Sequence, residues 1–258
     1  MGKVVIGIAP VRHGDRLVAV IDSFLKTPHQ TLSEVAVACG MEPSTAMRYL
    51  RQLVEHGWVD RDPRLRTYSL GVRLIEIGHA ARVAQPLRRA VLPHMRELVA
   101  RFNETVNLAV CRSGEVVIID ALESGRSIRR GATIGDRDDW FTSSLGKAIL
   151  AHLPTERFGE ILAERPRERR TPHTLVTEAE IRADAEQTRR RGYAIDDEEA
   201  EIGLKCVGVP IRDDHGVYSH ALSISGPTSR MNDRLEEIAE ALCSVAKALG
   251  RTAIEEVS

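Results

Sequence analysis

The sequence predicts an α+β chain in two parts: a small, mostly helical unit closed by a hairpin, then a larger unit of strands and helices. Three observations predict it. Apolar residues recur at helical spacing in three segments between residues 17 and 55, then give way to two short strand-like runs. From Thr105 onward the apolar period changes to two and later alternates with helical stretches. A length of 258 residues accommodates two ordinary domains.

Leu17, Val18, Val20, Ile21, Phe24 and Leu25 sit at three- and four-residue steps, and Thr27-Pro28 stops the helix they imply. A second helix starts at Thr31-Leu32-Ser33-Glu34, where Thr31 can cap and Glu34 can reach back to it. Gly40 suits the left-handed residue after that helix. A third helix runs from near Ser44 to Glu55, with Ala46, Met47, Leu50, Leu53 and Val54 as its apolar side. Two short strands then flank the turn Asp62-Pro63-Arg64 as a hairpin, and residues 71–81 read as a connecting helix that ends before Pro86.

In the larger unit, Leu87, Val91, Leu92, Met95, Leu98, Val99 and Phe102 mark a long amphipathic helix. Val106, Leu108 and Val110 alternate, Ser113-Gly114 turns, and Val116-Val117-Ile118-Ile119 returns. Helices are predicted after Thr142, from Glu178 to about Arg191, and at Leu235, Ile238, Leu242, Val245 and Leu249. Strands fall at residues 204–212 and 219–225, and the Arg/Glu-rich stretch 164–170 reads as a solvated loop. The expected arrangement is antiparallel hairpins with helices on one face.

Composition narrows the function. Apolar residues make up 43% and charged residues 28%, as in globular proteins. No apolar run approaches the ~20 residues of a spanning helix, so no membrane partner is expected. The short apolar run Val4–Ala9 reads as a tail rather than a signal peptide. Cys39, Cys111, Cys206 and Cys243 stand far apart with no His at ligand spacing, which fits reduced thiols in a cytoplasmic protein and neither a disulfide framework nor a metal site. The net charge of −1 is unevenly placed: residues 1–84 hold 11 basic against 8 acidic side chains, and the rest hold 25 against 29.

Residues 32–51 fit a helix-turn-helix, with small Ala36 where two helices cross, Gly40 in the turn, and Val35, Cys39, Met41 and Ala46 holding the pair together. Ser44, Thr45, Arg48, Arg51 and Gln52 lie off the apolar side of the third helix, as groups suited to phosphates and base edges in a major groove. Arg61, Arg64 and Arg66 give the hairpin a basic wing. A plain three-helix bundle with an Arg-studded face is the alternative. Three helices followed by a basic hairpin favour a winged helix-turn-helix that binds double-stranded operator DNA.

The chain resembles the isocitrate lyase regulator (IclR) family of transcriptional regulators. The likeness rests on Leu32–Ala36, Ser44–Leu50, Gly57-Trp58-Val59 and Tyr68–Gly71, then Glu104–Leu108 and Gly146–Ala151. It continues through Arg191–Glu199, Gly203–Cys206 and Ser223–Pro227, so the motifs run in order across nearly the whole chain from about Arg16. The resemblance implies a tail over 1–15, a winged helix-turn-helix over 16–70, a linker helix over 71–85 and a GAF-like α+β effector domain over 86–258. It implies a homodimer or tetramer and no cofactor. The connecting helix, with Leu74, Ile75 and Ile77, is the contact surface expected between copies.

The resemblance further implies that Ser144, Leu145, Asp196, Leu204, Cys206, Ser223 and Ser225 line an effector pocket, with Arg130 at a more loosely aligned position. The ligand expected is a small carboxylic or aromatic acid. The residue chemistry agrees: Thr142, Ser143 and Ser144 precede a helix, whose hydroxyls and first N–H groups suit a carboxylate, and Ser223 and Ser225 share one strand face. Each also has a bland reading, as helix caps, as sheet hydroxyls, as a small buried thiol at Cys206, and as a charged loop at 196–199. Asp138-Asp139-Trp140-Phe141 and Ser144-Leu145 depart from the family's usual residues, and Trp140 and Phe141 offer an aromatic wall.

Three rivals fall short. Gly146-Lys147 lacks the Gly and Ser/Thr of a phosphate loop, having Phe141 and Ala148 instead. Asp136, Asp138 and Asp139 lack the spacing of a calcium loop. A small-molecule enzyme using Cys206 would need a base, and His220 is out of phase with Ser223 and Ser225. A thiol-based redox-sensing regulator using Cys206 stays open as the alternative, to be distinguished by loss of DNA binding on mild oxidation.

Overall fold

The computed structural model describes residues 13–213 and 215–255. The run Val4–Ala9, expected to be a tail, lies outside the described residues. The chain divides into two compact units, the first ending at Ala84 and the second beginning at Gln85.

In the first unit, α1 (His13–Lys26) leads to the two-residue β1 (Gln30–Thr31) and α2 (Leu32–Ala38). The Thr31 hydroxyl accepts from the Glu34 N–H while the Glu34 carboxylate accepts from the Thr31 N–H at 2.7 Å, so both sides of the capping box form. Gly40 takes φ +59°, and the Met41 N–H closes the turn on the Ala36 carbonyl. Helix α3 (Pro43–Glu55) opens with proline at its first turn, where its missing N–H costs nothing. Strands β2 (Val59–Asp62) and β3 (Thr67–Leu70) form the wing, and β1 joins them in the order β1-β3-β2. Val20, Phe24, Val35, Tyr49, Leu50, Leu53, Val59 and Tyr68 make the core. Helix α4 (Arg73–Val83) buries none of its residues.

The second unit opens with α5 (Pro86–Phe102), stopped by Asn103 at φ 51°. Strands β4 (Thr105–Arg112) and β5 (Glu115–Leu122) turn through Ser113 and Gly114, both at positive φ as a primed hairpin turn requires. Next come β6 (Arg137–Asp138), α6 (Ser144–Leu150), α7 (Thr155–Glu164), α8 (Glu178–Arg191), β7 (Ala194–Asp197), β8 (Leu204–Arg212), β9 (Tyr218–Pro227), α9 (Thr228–Met231) and α10 (Leu235–Glu255). The strands form one antiparallel sheet in the order β6-β5-β4-β9-β8-β7.

The expectation of helices on one face is corrected: they cover both. Val106, Leu108, Val207, Val209, Leu222 and Ile224 pack with α5 and α10 residues such as Met95 and Leu242. The alternate positions Ala109, Ile118 and Ala221 pack with Leu145, Ile149, Phe158 and Ile181 of α6, α7 and α8. Trp140 and Phe141 belong to this second core, and the Trp140 indole N–H donates to the Gly114 carbonyl at 3.2 Å. No helix of the described residues is long and apolar enough to cross a membrane.

Candidate effector site and DNA-contact surface

On α3, Ser44, Arg48, Arg51 and Gln52 are exposed and Thr45 is half-buried. The Arg48 guanidinium lies 5.3 Å from the Tyr49 ring centroid, so the helix's own buried aromatic steadies it. Gln52 borders a mostly apolar cavity of about 510 Å³ shared with Leu17, Ile21 and Trp58, which puts it at the edge of the polar face. On the wing, Arg61, Arg64 and Arg66 are all exposed. The Asp62 carboxylate accepts from the Arg64 and Leu65 N–H groups at 2.7 and 3.0 Å, which fixes the turn that carries them. Arg61 also stacks on Tyr68 at 6.0 Å.

In the second unit, the sheet face beneath α6 is unusually polar. Register sets Asn107 opposite Ser223, Ser223 opposite Gly208, Cys206 opposite Ser225, and Asp196 opposite Cys206. Asn107, Ser223, Ser225, Cys206 and Asp196 therefore form a patch running from β4 across β9 and β8 to β7. All are buried. The Asn107 amide donates to the Ser225 hydroxyl at 3.4 Å. Asn107 Oδ1, Ser223 Oγ, Asp196 Oδ2 and Thr142 Oγ1 have no protein partner despite burial, a condition that costs free energy unless something else supplies the bond. Leu204 shares the face of Cys206, at the end of β8, and is half-buried.

Arg130 reaches this patch from the loop before β6, with Nη1 3.9 Å from Cys206 Sγ. Its backbone is tied by the Thr105 hydroxyl, which donates to the Arg130 carbonyl at 2.8 Å. From the other side comes the start of α6. The Ser143 hydroxyl accepts from the Gly146 N–H at 2.9 Å as the N-cap, and Asp139 accepts from the Phe141 and Thr142 N–H groups. Of the first-turn donors expected to be free at this end, the Gly146 N–H is thus already used. Ser144 and Leu145 are both buried, Leu145 within the apolar core.

Electrostatics separate the carboxylates here. Burial pushes Asp196 up to about 6, against the pull of the Ala200 and Glu199 N–H groups and of Lys147 and Arg130. Burial also raises Asp138, opposed by Arg130 and a hydrogen bond with Ser143. Lys147, buried on α6, pairs with Glu199, lies 3.2 Å from Asp184 and donates to the Ile195 carbonyl at 2.6 Å. That ammonium clamps α6 to β7 and to the segment whose N–H groups hold Asp196. The Thr171 and Thr174 hydroxyls hold the same segment, each 2.7 Å from the Glu198 or Glu199 carbonyl. The Cys206 thiol is raised well above its ordinary range, first by burial and then by Asp196. Burial disfavours the thiolate that redox or nucleophilic chemistry needs, so the site lends those readings of Cys206 no support. His220 pairs with Val110 and its ring Nδ1 lies 2.9 Å from Ser219 Oγ, out of phase with Ser223 and Ser225 on β9.

Asn107 was not singled out from the sequence. Its signal was present as a polar residue between Val106 and Leu108 on a strand whose two faces are both buried.

A small helical unit with a basic wing, joined to a sheet unit with a polar buried patch, defines a DNA-binding regulator with an effector domain. The comparisons agree. Residues 15–63 match the IclR helix-turn-helix domain, and residues 79–251 match the C-terminal domain of bacterial IclR transcriptional regulators. The chain belongs to the IclR family of transcriptional regulators. It is 34% identical over 219 residues to the transcriptional repressor IclR of Escherichia coli, covering 84% of this chain and 80% of that one. It is 32% identical over 240 residues to the regulator BhcR of Paracoccus denitrificans, covering 93% and 86%. Among solved structures, Thermotoga maritima IclR superposes with a TM-score of 0.71 at 32% identity, covering 92% of this chain and 97% of that one. An IclR homologue from Microbacterium hydrocarbonoxydans, complexed with 4-hydroxybenzoate, gives 0.75 at 28% identity, covering 90% and 98%.

Proposed function

We propose that this chain is a cytoplasmic, non-enzymatic regulator that binds an operator through α3 and the wing, and that a small organic acid bound beneath α6 modulates that binding. One observation carries the ligand reading: three buried polar atoms, on Asn107, Ser223 and Asp196, lack protein partners on one patch that Arg130 also reaches, and Thr142 Oγ1, just before α6, lacks one as well. The guanidinium and the neutral donors suit a carboxylate. Asp196 suits a hydroxyl across the patch, since a second anion beside it would be repelled. A hydroxy acid satisfies both ends, and the 4-hydroxybenzoate bound by the Microbacterium homologue has that chemistry. The effector residues are Arg130, Ser144, Leu145, Asp196, Leu204, Cys206, Ser223 and Ser225, to which Asn107 and Thr142 are added.

For DNA, Ser44, Thr45, Arg48, Arg51 and Gln52 face the major groove, and Arg61, Arg64 and Arg66 reach the neighbouring backbone. One winged helix reads too few base pairs for a specific site, so the working unit is a homodimer or tetramer on a pseudo-palindrome. Exposed Ile75 and Ile77 on α4, with Leu74 beside them, are the contact surface proposed between copies. The relatives are regulators, and Cys206 is held as a thiol, both of which support a binding rather than a catalytic role.

The test is calorimetric titration of a panel of aliphatic and aromatic hydroxy acids into the full chain, paired with operator binding at fixed salt. Micromolar binding of one acid that also shifts operator affinity is expected. If every acid binds Arg130→Ala as tightly as the parent, the patch is not the effector site.

A further inference from the structure

The far end of α6 opens on a cavity of about 470 Å³, within the size range of small-molecule sites. Its walls bring together His152, Arg189, Arg191, Arg212, Tyr218 and Lys247 from α8, β8, β9, α10 and the end of α6. No carboxylate lines it among the described residues, although residues 85–258 as a whole hold more acidic than basic side chains, 29 against 25.

The charges are held but not neutralised. Arg189 donates to the Ala151 carbonyl at 2.8 Å, a neutral acceptor. Arg191 donates to the Tyr193 carbonyl at 2.6 Å and has Asp184 at 3.7 Å, a long and shared contact. The Arg212 guanidinium lies 4.6 Å from the Tyr218 ring centroid, a stacking that fixes the group and leaves its N–H fork unused. Neither Arg212 nor Lys247 has a carboxylate partner among the described residues. The His152 ring lies 4.5 Å from Tyr218 and its Nδ1 is 2.9 Å from the Ala148 carbonyl, which directs Nε2 away from that bond. Burial lowers His152, and the charges of Arg189 and Arg212 lower it further, as a positive local potential requires.

A structural role alone would not assemble such a cavity. Like charges brought together without counter-charge destabilise the fold, whereas guanidinium forks match carboxylate and phosphate oxygens two at a time. Cations from several elements converge here, so one monovalent anion would satisfy only part of the site. The geometry points to a second ligand site, separate from the patch beneath α6, that takes a small molecule bearing two or more anionic groups, as phosphates or carboxylates.

Calorimetric titration of the full chain with pyrophosphate, citrate and acetate, at constant ionic strength, tests it. Pyrophosphate or citrate should bind at least about tenfold more tightly than acetate. Arg212→Gln and Lys247→Gln replace exposed side chains without a structural hydrogen bond, and each should weaken that binding about tenfold with an unchanged melting temperature. Ser223→Ala should leave it unchanged, which separates this site from the effector reading. The two polyanions distinguish a phosphate from a carboxylate preference. The inference is overturned if neither polyanion outbinds acetate, or if both Gln variants bind them like the parent. It is equally overturned if non-specific duplex DNA binds through Arg212 and Lys247 while pyrophosphate and citrate do not.

Discussion

Gly208 on β8 lies so close to Ser144 that a Cβ built on it would stand 2.6 Å from the Ser144 carbonyl oxygen. The first turn of α6 therefore rests on bare backbone of the sheet. Its φ is not in the left-handed region, so the requirement is space rather than conformation. Gly208→Ala should force α6 off the sheet, at a cost of about 1–3 kcal/mol as an overpacked core. Thermal unfolding should show a lower Tm, and effector affinity should fall with it. An unchanged Tm would mean that α6 does not sit as described.

Lys147 and Glu199 form a buried ion pair that clamps α6 to β7. Lys147→Met leaves the buried Glu199 carboxyl without its counter-charge, and breaking such a pair from one side costs ~3–5 kcal/mol. The double variant Lys147→Met, Glu199→Gln should recover part of that loss, because no uncompensated carboxylate remains at position 199. Denaturant unfolding of the two single variants and the double closes the cycle. Strict additivity would show that the two side chains do not act as a pair.

Asp196 gives a pH dependence with a definite sign. Its folded value, about 6, lies above its ordinary 3.8 because burial disfavours the charge. The folded state then binds the proton more tightly, so the Asp196 contribution to stability falls as pH rises from about 4 to about 6 and is level above that. Glu199, pushed up to about 7 by burial, extends the fall. An anionic effector should likewise bind more tightly as pH drops from 8 to 5.5. Asp196→Asn keeps an oxygen for the Glu199 and Ala200 N–H groups and should flatten both profiles. A parent whose effector affinity does not change over that range would remove Asp196 from the ligand's neighbourhood.

What the sequence disclosed and what it concealed have physical reasons. Thr31 and Glu34 act within one turn, and Ser113-Gly114 within one hairpin, so local chemistry was enough to read them. The second sheet face was harder. Asn107, Ser223 and Ser225 alternate with Val106, Leu222 and Ile224, the pattern of a strand with one wet side. Here that polar side is covered by α6, so the helices lie on both faces. Asp196 and Asp197 begin an acidic run that reads as a loop, yet they close β7, and only pairing with Cys206 and Lys205 makes it a strand. Tyr49 follows Arg48 on α3 and carries a polar hydroxyl, yet it is almost fully buried, because it joins the core made with Val20, Phe24, Val35, Val59 and Tyr68 from other elements of the unit.

The DNA surface separates two kinds of contact. Arg48 stands on the exposed face of α3, and its replacement by Ala should cost ~1–3 kcal/mol of operator affinity if it reads a base edge. Arg64 at the wing turn should act on phosphates, so Arg64→Ala weakens binding to every sequence and flattens the salt dependence by about one counter-ion. Operator and scrambled duplexes titrated at several salt concentrations resolve the two. Equal losses on both duplexes for Arg48→Ala would move it from base reading to backbone contact.

Ser223 offers the sharpest test, because free protein and complex should respond in opposite ways. Its hydroxyl is buried, with 1% of the residue exposed, and has no protein partner. Removing an unsatisfied buried hydroxyl relieves a desolvation cost, so Ser223→Ala should leave the unliganded protein as stable as the parent or slightly more so. Asn107, opposite it, keeps its own bond to Ser225. In the complex the same hydroxyl donates to the acid, and a hydrogen bond to a charged group is worth ~1.5–3 kcal/mol. The variant should therefore lose roughly one to two orders of magnitude in effector affinity while operator affinity without effector stays level. Calorimetry beside thermal unfolding reads both quantities on one preparation. A variant that is less stable yet binds effector unchanged would make Ser223 a structural hydroxyl and take β9 out of the site.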